Sequence, residues 1–281
     1  MKKIVGIISI TLLLCACGEN IEHKADQKLA EAKTSFKQGN YNEAKLKIDS
    51  IKILYPKAFK ARQAGIDLML EVELKEQRTS LVYLDSLRKV LQDKRSAIIG
   101  KYILEKDTAY QRVGNYFWPS QTMDKNAHRS YIRFQVSEDG ITSMTSIYRG
   151  SSFIHHTAVC VTAPDGTFAQ TPTSKDIYET SILGEKTENT EYKNGNDGNV
   201  MGFIYLNQDK NIRVKFIGNR DYNTTMSPAD KQALKGIYEL SQILAGINKV
   251  KEEQDEANLK IKFVTKRMEQ KTEQSQKKDG V

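Results

Sequence analysis

Two long apolar stripes, one near each end of the chain, limit the fold more than any other feature. The first runs Leu70, Leu74, Leu81, Leu84, Leu87, Leu91 and Ile98, and neither Pro nor Gly interrupts it between Ile66 and Ile99. Steps of three and four residues place these side chains on one face of a helix from Phe59 or Arg62 to about Lys101. The second runs Ile237, Leu240, Leu244, Ile247, Val250, Ala257, Ile261, Val264 and Met268, with polar Gln254 filling the one gap. "MSPADK" opens it: Ser227 is placed to cap, Pro228 takes the first helical position, and Asp230 faces the positive helix end. A stripe of this length cannot stay in water, so each helix needs a partner. The two either pack antiparallel on each other, with the intervening chain inserted at the far end, or pair between copies in a homodimeric coiled coil.

Between the stripes the period changes from 3.6 to 2. "YIRFQV" alternates Ile132, Phe134 and Val136 with Arg133 and Gln135; "NIRVKF" does the same with Ile212, Val214 and Phe216. Further strands are expected at 141–149, 152–162, 166–171 and 200–206, divided by turns at Asp139-Gly140, Pro164-Asp165-Gly166 and "KNGNDGN". Short strands joined by such turns imply an antiparallel sheet with one face packed. Trp118, in "NYFWPS", reads as a core or junction anchor. The expected class is α+β: a helical segment at 25–105, an antiparallel β-region at 106–226 and a long helix at 227–271. A short tether (17–24) precedes the helices and a frayed tail (272–281) follows.

Residues 25–57 carry two shorter helical periods. Leu29, Ala32 and Phe36 recur before Gly39-Asn40; Ala44, Ile48, Ile51 and Tyr55 recur after it, and Pro56 stops the run. With "GNY" at the turn and small Ala32 and Ala44, the segment resembles one tetratricopeptide repeat. That likeness implies a groove for a peptide or partner. A single copy is more simply the pattern of an αα-hairpin packed on its own next helix, since such repeats bury their faces by stacking.

Lys2 and Lys3 precede an apolar run from Ile4 to Ala16, too short to span a bilayer comfortably as a helix and typical of an export signal. Its end, Leu14-Cys15-Ala16-Cys17, resembles the lipobox of bacterial lipoproteins. The resemblance implies cleavage after Ala16, so that 1–16 is a signal peptide. It also implies a diacylglyceryl thioether on Cys17 and an acylated amine. Two or three acyl chains hold a soluble body on a membrane where one does not. Gly18 stands where Asp would favour retention in the inner membrane, so the expected address is the outer membrane of the cell envelope.

The rest of the chain suits a body outside the bilayer, with 28% charged residues and a mean hydropathy of −0.56. The net charge of +8 is not a nucleic-acid footprint, because Lys and Glu alternate along helical faces as in "KVKEEQDEANLKIK". Once Cys15 is removed and Cys17 lipidated, Cys160 is the remaining thiol and no internal disulfide can form.

Candidates for chemistry are few. His155 and His156, neighbours on an expected strand, point to opposite faces and do not jointly ligate one metal. His156 and Cys160 share a face, and with His128 they make a conceivable zinc set or Cys/His pair. Against that, "TAVCV" reads as a buried strand with Cys160 as a small hydrophobe. "NGNDGN" lacks the spaced acidic ligands of a calcium loop. No phosphate-binding glycine loop, serine elbow or two-histidine zinc motif occurs. Asp107-Thr108-Ala109 resembles an O-glycosylation site of envelope proteins, as do Asp49-Ser50-Ile51 and Asp85-Ser86-Leu87, both on expected helices; Thr108 is the candidate. The sequence therefore points to a lipid-anchored, non-catalytic binding or scaffolding protein without cofactor or metal. Its expected partners are a membrane and an envelope protein, not nucleic acid, and self-association is open. The rival readings are an enzyme housed in the β-region and a chaperone-like pair of helical arms.

Overall fold

The computed structural model describes residues 16–279. The predicted signal peptide, 1–16, lies outside the described residues but for Ala16, as do residues 280–281. The chain divides into two compact units, Met1–Ser86 with Glu252–Val281, and Leu87–Lys251. The fold is α+β, as the change of period requires.

In the first unit α1 (Ala16–Lys37) and α2 (Tyr41–Leu54) form the expected hairpin. Gly39 closes α1 at φ +80, and the Asn40 amide returns to the Ser35 carbonyl at 2.9 Å. Ala25, Leu29, Ala32, Ala44, Ile48 and Ile51 bury together with Ala61, Leu68 and Val72 of α3 (Phe59–Ile98). The hairpin thus closes its core on the helix that follows it. The expected tether is helical instead, because Ile21 stands one turn before Ala25 and packs on the same cluster.

The long C-terminal helix α5 (Pro228–Asp279) runs antiparallel to α3. In the first unit Gln254 Nε2 donates to Asp85 Oδ1 at 2.7 Å, and Lys271 pairs with Asp67. In the second unit Gly246 lies against Leu91. The tail expected to fray continues as helix to Asp279, since its Thr, Glu, Gln and Lys residues all tolerate that conformation. Ser227 starts α5 as predicted: its Oγ accepts from the Asp230 amide at 3.1 Å, and its hydroxyl donates to Asp230 Oδ2 at 2.7 Å. Arg129 clamps that same carboxylate through both terminal nitrogens, at 2.7 and 2.6 Å. Among the described residues no helix is long and apolar enough to cross a membrane.

The second unit holds ten strands in two antiparallel sheets. Six form the first, in the order β1 (Ile103–Glu105), β2 (Asn115–Phe117), β3 (Tyr131–Ser137), β4 (Thr142–Gly150), β8 (Glu185–Tyr192) and β7 (Ile177–Ile182). Four form the second: β10 (Tyr222–Thr225), β9 (Arg213–Ile217), β5 (Ala158–Thr162) and β6 (Phe168–Gln170). Ile132, Phe134, Val136 and Met144 of the larger sheet share one core with Val159, Val161, Val214 and Phe216 of the smaller, closed by Leu234, Ile237, Leu240 and Leu244 of α5. Where β2 ends, the buried Gln121 amide stands in for a strand: Nε2 donates to Ile132 O and Oε1 accepts from Phe134 N, both at 2.8 Å.

Two expected strands are corrected. Residues 200–206 are a helix, α4 (Val200–Leu206): Asp197 Oδ2 accepts the Met201 amide at 2.7 Å, and Val200, Met201 and Ile204 bury at helical spacing. A short apolar run has no period of its own to settle the matter. The strand placed at 152–162 begins only at Ala158, because His155 adopts φ +52 and bends the chain before it.

Trp118 is an anchor within this unit. Tyr102 meets it edge-on, with centroids 5.3 Å apart, and donates its hydroxyl to Gly236 O at 2.8 Å. A Cβ on Gly236 would lie 2.4 Å from the indole ring. Gly236→Ala is therefore expected to cost about 1–3 kcal/mol by overpacking. Urea melts followed by the fluorescence of this sole tryptophan would measure the loss.

Candidate functional site

The most concentrated chemistry lies between the two sheets, where Glu188 of β8 is fully buried. Its Oε1 accepts the amides of Ile154 and His155 at 2.5 and 2.9 Å; its Oε2 accepts the His156 amide and His156 Nδ1, each at 2.8 Å. The bend at His155 lets three successive N–H groups face one carboxylate, a nest that substitutes for hydration. His156 Nε2 then meets Ser146 Oγ of β4 at 2.8 Å. The Thr190 hydroxyl donates to the His156 carbonyl at 2.9 Å. Phe216 stands edge-on to the imidazole, with centroids 5.2 Å apart.

Burial pushes Glu188 up, but the donors from His156, His155 and Ile154 more than offset it and hold the carboxyl below its ordinary 4.5. For His156 burial is the larger influence and lowers the imidazole below 6.5 against the attraction of Glu188. The pair is thus a carboxylate with a neutral ring: Nδ1–H donates to Glu188, and Nε2 accepts from Ser146.

Serine, histidine and carboxylate are therefore connected as in a hydrolytic triad. Chemistry is another matter, since all three side chains are wholly inaccessible. Neither a substrate nor a water molecule can reach Ser146 Oγ. The arrangement works as a clamp, fastening the segment before β5 in one sheet to β4 and β8 in the other.

His155 Nδ1 lies 2.7 Å from Glu179 Oε1 of β7. With Glu188 these form the one group of three potential metal ligands within 4.8 Å among the described residues. Four donors already occupy the lone pairs of Glu188, so that carboxylate has nothing left to give a cation.

The residues singled out from sequence do not meet. His128 is 91% exposed at its side chain and 3.9 Å from Glu185. His156 is in the clamp. Cys160, half-buried rather than core, has Sγ 3.9 Å from Thr162 Oγ1 on the face opposite Val159 and Val161. Thr108 is exposed in a turn where Asp107 Oδ1 accepts the Ala109 amide at 3.0 Å, whereas Ser50 and Ser86 sit on helices with their hydroxyls given to backbone carbonyls. Cys17 falls on α1. Glu188 and Ser146 were not anticipated; the signal available was a glutamate on the side of "EKTENTEY" that also carries Thr190 and Tyr192.

The helical unit offers an open site. A cleft of about 520 Å³ lies among Lys45 of α2, Glu73, Glu76 and Gln77 of α3, and Leu259, Phe263 and Val264 of α5. A second, of about 350 Å³, continues from Glu73 past Ile48, Lys52, Ile66 and Met69 to Arg267. Together they make a trough with an apolar floor and charged rims. Leu259 and Phe263 are 67% and 59% exposed, and the Arg267 guanidinium covers the Phe263 ring at 5.3 Å.

Compared with family models, characterised proteins and solved structures, the chain matches none.

Breaking the clamp tests this reading. Glu188→Ala orphans three amides and the imidazole and should cost about 3–5 kcal/mol. Ser146→Ala removes one neutral hydrogen bond and should cost about 1 kcal/mol. Both groups are depressed in the folded state, so the unfolded chain takes up protons first on acidification. Stability should decline as pH falls below 6.5 through His156, then further below 4.5 through Glu188. Urea midpoints between pH 4 and 8 should show the first decline in the parent and lose it in His156→Phe.

Proposed function

We propose that this chain is a lipid-anchored envelope protein that holds a partner protein in the trough of its helical unit, without catalysing a reaction. The lipobox at Leu14-Cys15-Ala16-Cys17 supports the anchor. The open trough carries the binding reading: the large apolar side chains of Ile66, Leu259 and Phe263 stand exposed along it, while the triad-like constellation at Ser146, His156 and Glu188 is sealed. Five basic residues, Lys45, Lys52, Arg62, Lys260 and Arg267, line it against three acidic ones, Asp49, Glu73 and Glu76. Lys45 is already paired with Glu76 at 2.9 Å. The occupant that fits is an amphipathic helix with acidic flanks, laid apolar face down.

Burial of Leu84 of α3 and of Ala257 and Val264 of α5 favours a packed helical pair over chaperone-like arms. The enzyme reading needs His128, His156 and Cys160 to converge, whereas His128 is exposed, His156 is sealed in the clamp and Cys160 is half-buried. Thr108, exposed in its turn, is proposed as the glycosylated residue.

Cys17→Ser should move the protein from the membrane to the soluble fraction on cell fractionation. Leu259→Asp with Phe263→Asp should abolish capture of the partner in a pull-down with native lipidated protein. These side chains are largely exposed, so the melting temperature should shift by the equivalent of no more than about 0.5 kcal/mol each. Intact mass of protein from its own cells should fall by a glycan when Thr108→Ala is introduced.

A further inference from the structure

The edge strands of the β-unit are not alike. β1 and β6 have three residues and β10 has four, lengths that offer little to another chain. β7 has six, "IYETSI", with neither proline nor lysine, and pairs only with β8. Tyr178 and Ile182 are 65% and 68% exposed. Leu183, in the two-residue turn to β8, is fully exposed at φ +50, a backbone conformation that usually falls to Asn or Gly.

The register says which backbone groups remain open. Ile182 faces Glu185 across the turn, and the Asp176 carbonyl accepts the Glu191 amide at 3.0 Å. Even-numbered residues therefore bond to β8, and Ile177, Glu179 and Ser181 direct their N–H and C=O groups away from the sheet.

We propose that β7 is a self-association edge, on which a second copy of this chain adds its own β7 antiparallel about a two-fold axis at Thr180. This register satisfies both parities of a ladder: Glu179 and Ser181′ form the hydrogen-bonded pairs, while Tyr178 opposes Ile182′ and Thr180 opposes Thr180′ in the closer, non-bonded pairs. Each exposed apolar residue then gains an apolar neighbour, with Leu183 beside Ile177′. Aromatic–aliphatic and Thr–Thr pairs are among the favourable cross-strand combinations. Shifting the axis by one residue toward Ile177 would set Glu179 against Glu179′, and shifting it toward Ile182 would set Tyr178 against Gly184′ and Ile182 against Thr180′, so charge on one side and apolar pairing on the other select this register. The proposal is independent of the trough and of the anchor.

The test is sedimentation of the full-length chain in non-ionic detergent over a range of concentrations. The parent is expected to show a reversible monomer–dimer equilibrium. Ser181→Lys, opposite Glu179′, should tighten it about tenfold, and Ser181→Glu should weaken it about tenfold. Ser181→Pro, which removes an outward N–H, should leave a monomer with an unchanged circular dichroism spectrum. A monomeric parent at every concentration overturns the proposal. So does a dimer indifferent to Ser181→Pro, which would locate association elsewhere, or an equal shift by Lys and Glu, which would refute the register. A monomer that instead sediments with anionic lipid vesicles through Leu183 and Ile182 would assign the hairpin tip to a membrane surface and likewise overturn it.

Discussion

A carboxylate without water must find donors elsewhere, and in the β-unit that requirement fixes how two sheets meet. Glu188 draws on three consecutive amides and an imidazole from a segment more than thirty residues distant in sequence. A charge so placed tolerates no partial arrangement, because each lost donor leaves a buried polar group exposed to the full desolvation penalty. The bend at His155 and the late start of β5 accompany the supply of that one side chain, while burial keeps His156 neutral against its attraction. Hydrophobic burial by Phe134, Phe216 and Ile237 supplies the bulk of the cohesion, while the carboxylate ties the segment before β5 to β8.

The helical unit is organised differently. Its core is built largely of alanine and aliphatic residues on α1, α2 and α3, which lets the helices approach closely, and it leaves the trough beside α5 unfilled. Polar contacts there lie at the surface or across the seam, as with Lys45 and Glu76. The two units thus differ physically: the β-unit seals its Glu188 network from solvent, and the helical unit keeps a trough with apolar side chains open to it.

Much of this was written in periodicity. The stripe from Leu70 to Ile98 and the cap at Ser227 located both long helices, and alternation in "YIRFQV" and "NIRVKF" found two core strands with the correct faces inward. What periodicity missed has physical reasons. β7 and β8 are rich in Glu, Thr, Ser and Asn, so their inward face carries Glu188 and Thr190 where a pattern reader expects Val or Ile. The donors that make this tolerable are backbone amides, which every sequence has and none displays. Residues 200–206 were apolar throughout, so only the Asp197 side chain on the Met201 amide distinguished helix from strand. The bend that took His156 off its strand depends on a left-handed histidine, a conformation that no neighbouring residue announces.

The hydrogen bond from Gln254 to Asp85 carries a further implication. An amide placed among aliphatic seam residues weakens the helical pair relative to leucine, yet its bond to Asp85 forms at only one alignment. A slip of α5 along α3 by a single turn would strand that amide away from its acceptor, while the leucines around it would find equivalent holes. The pairing therefore has the character of a keyed joint rather than a sliding one.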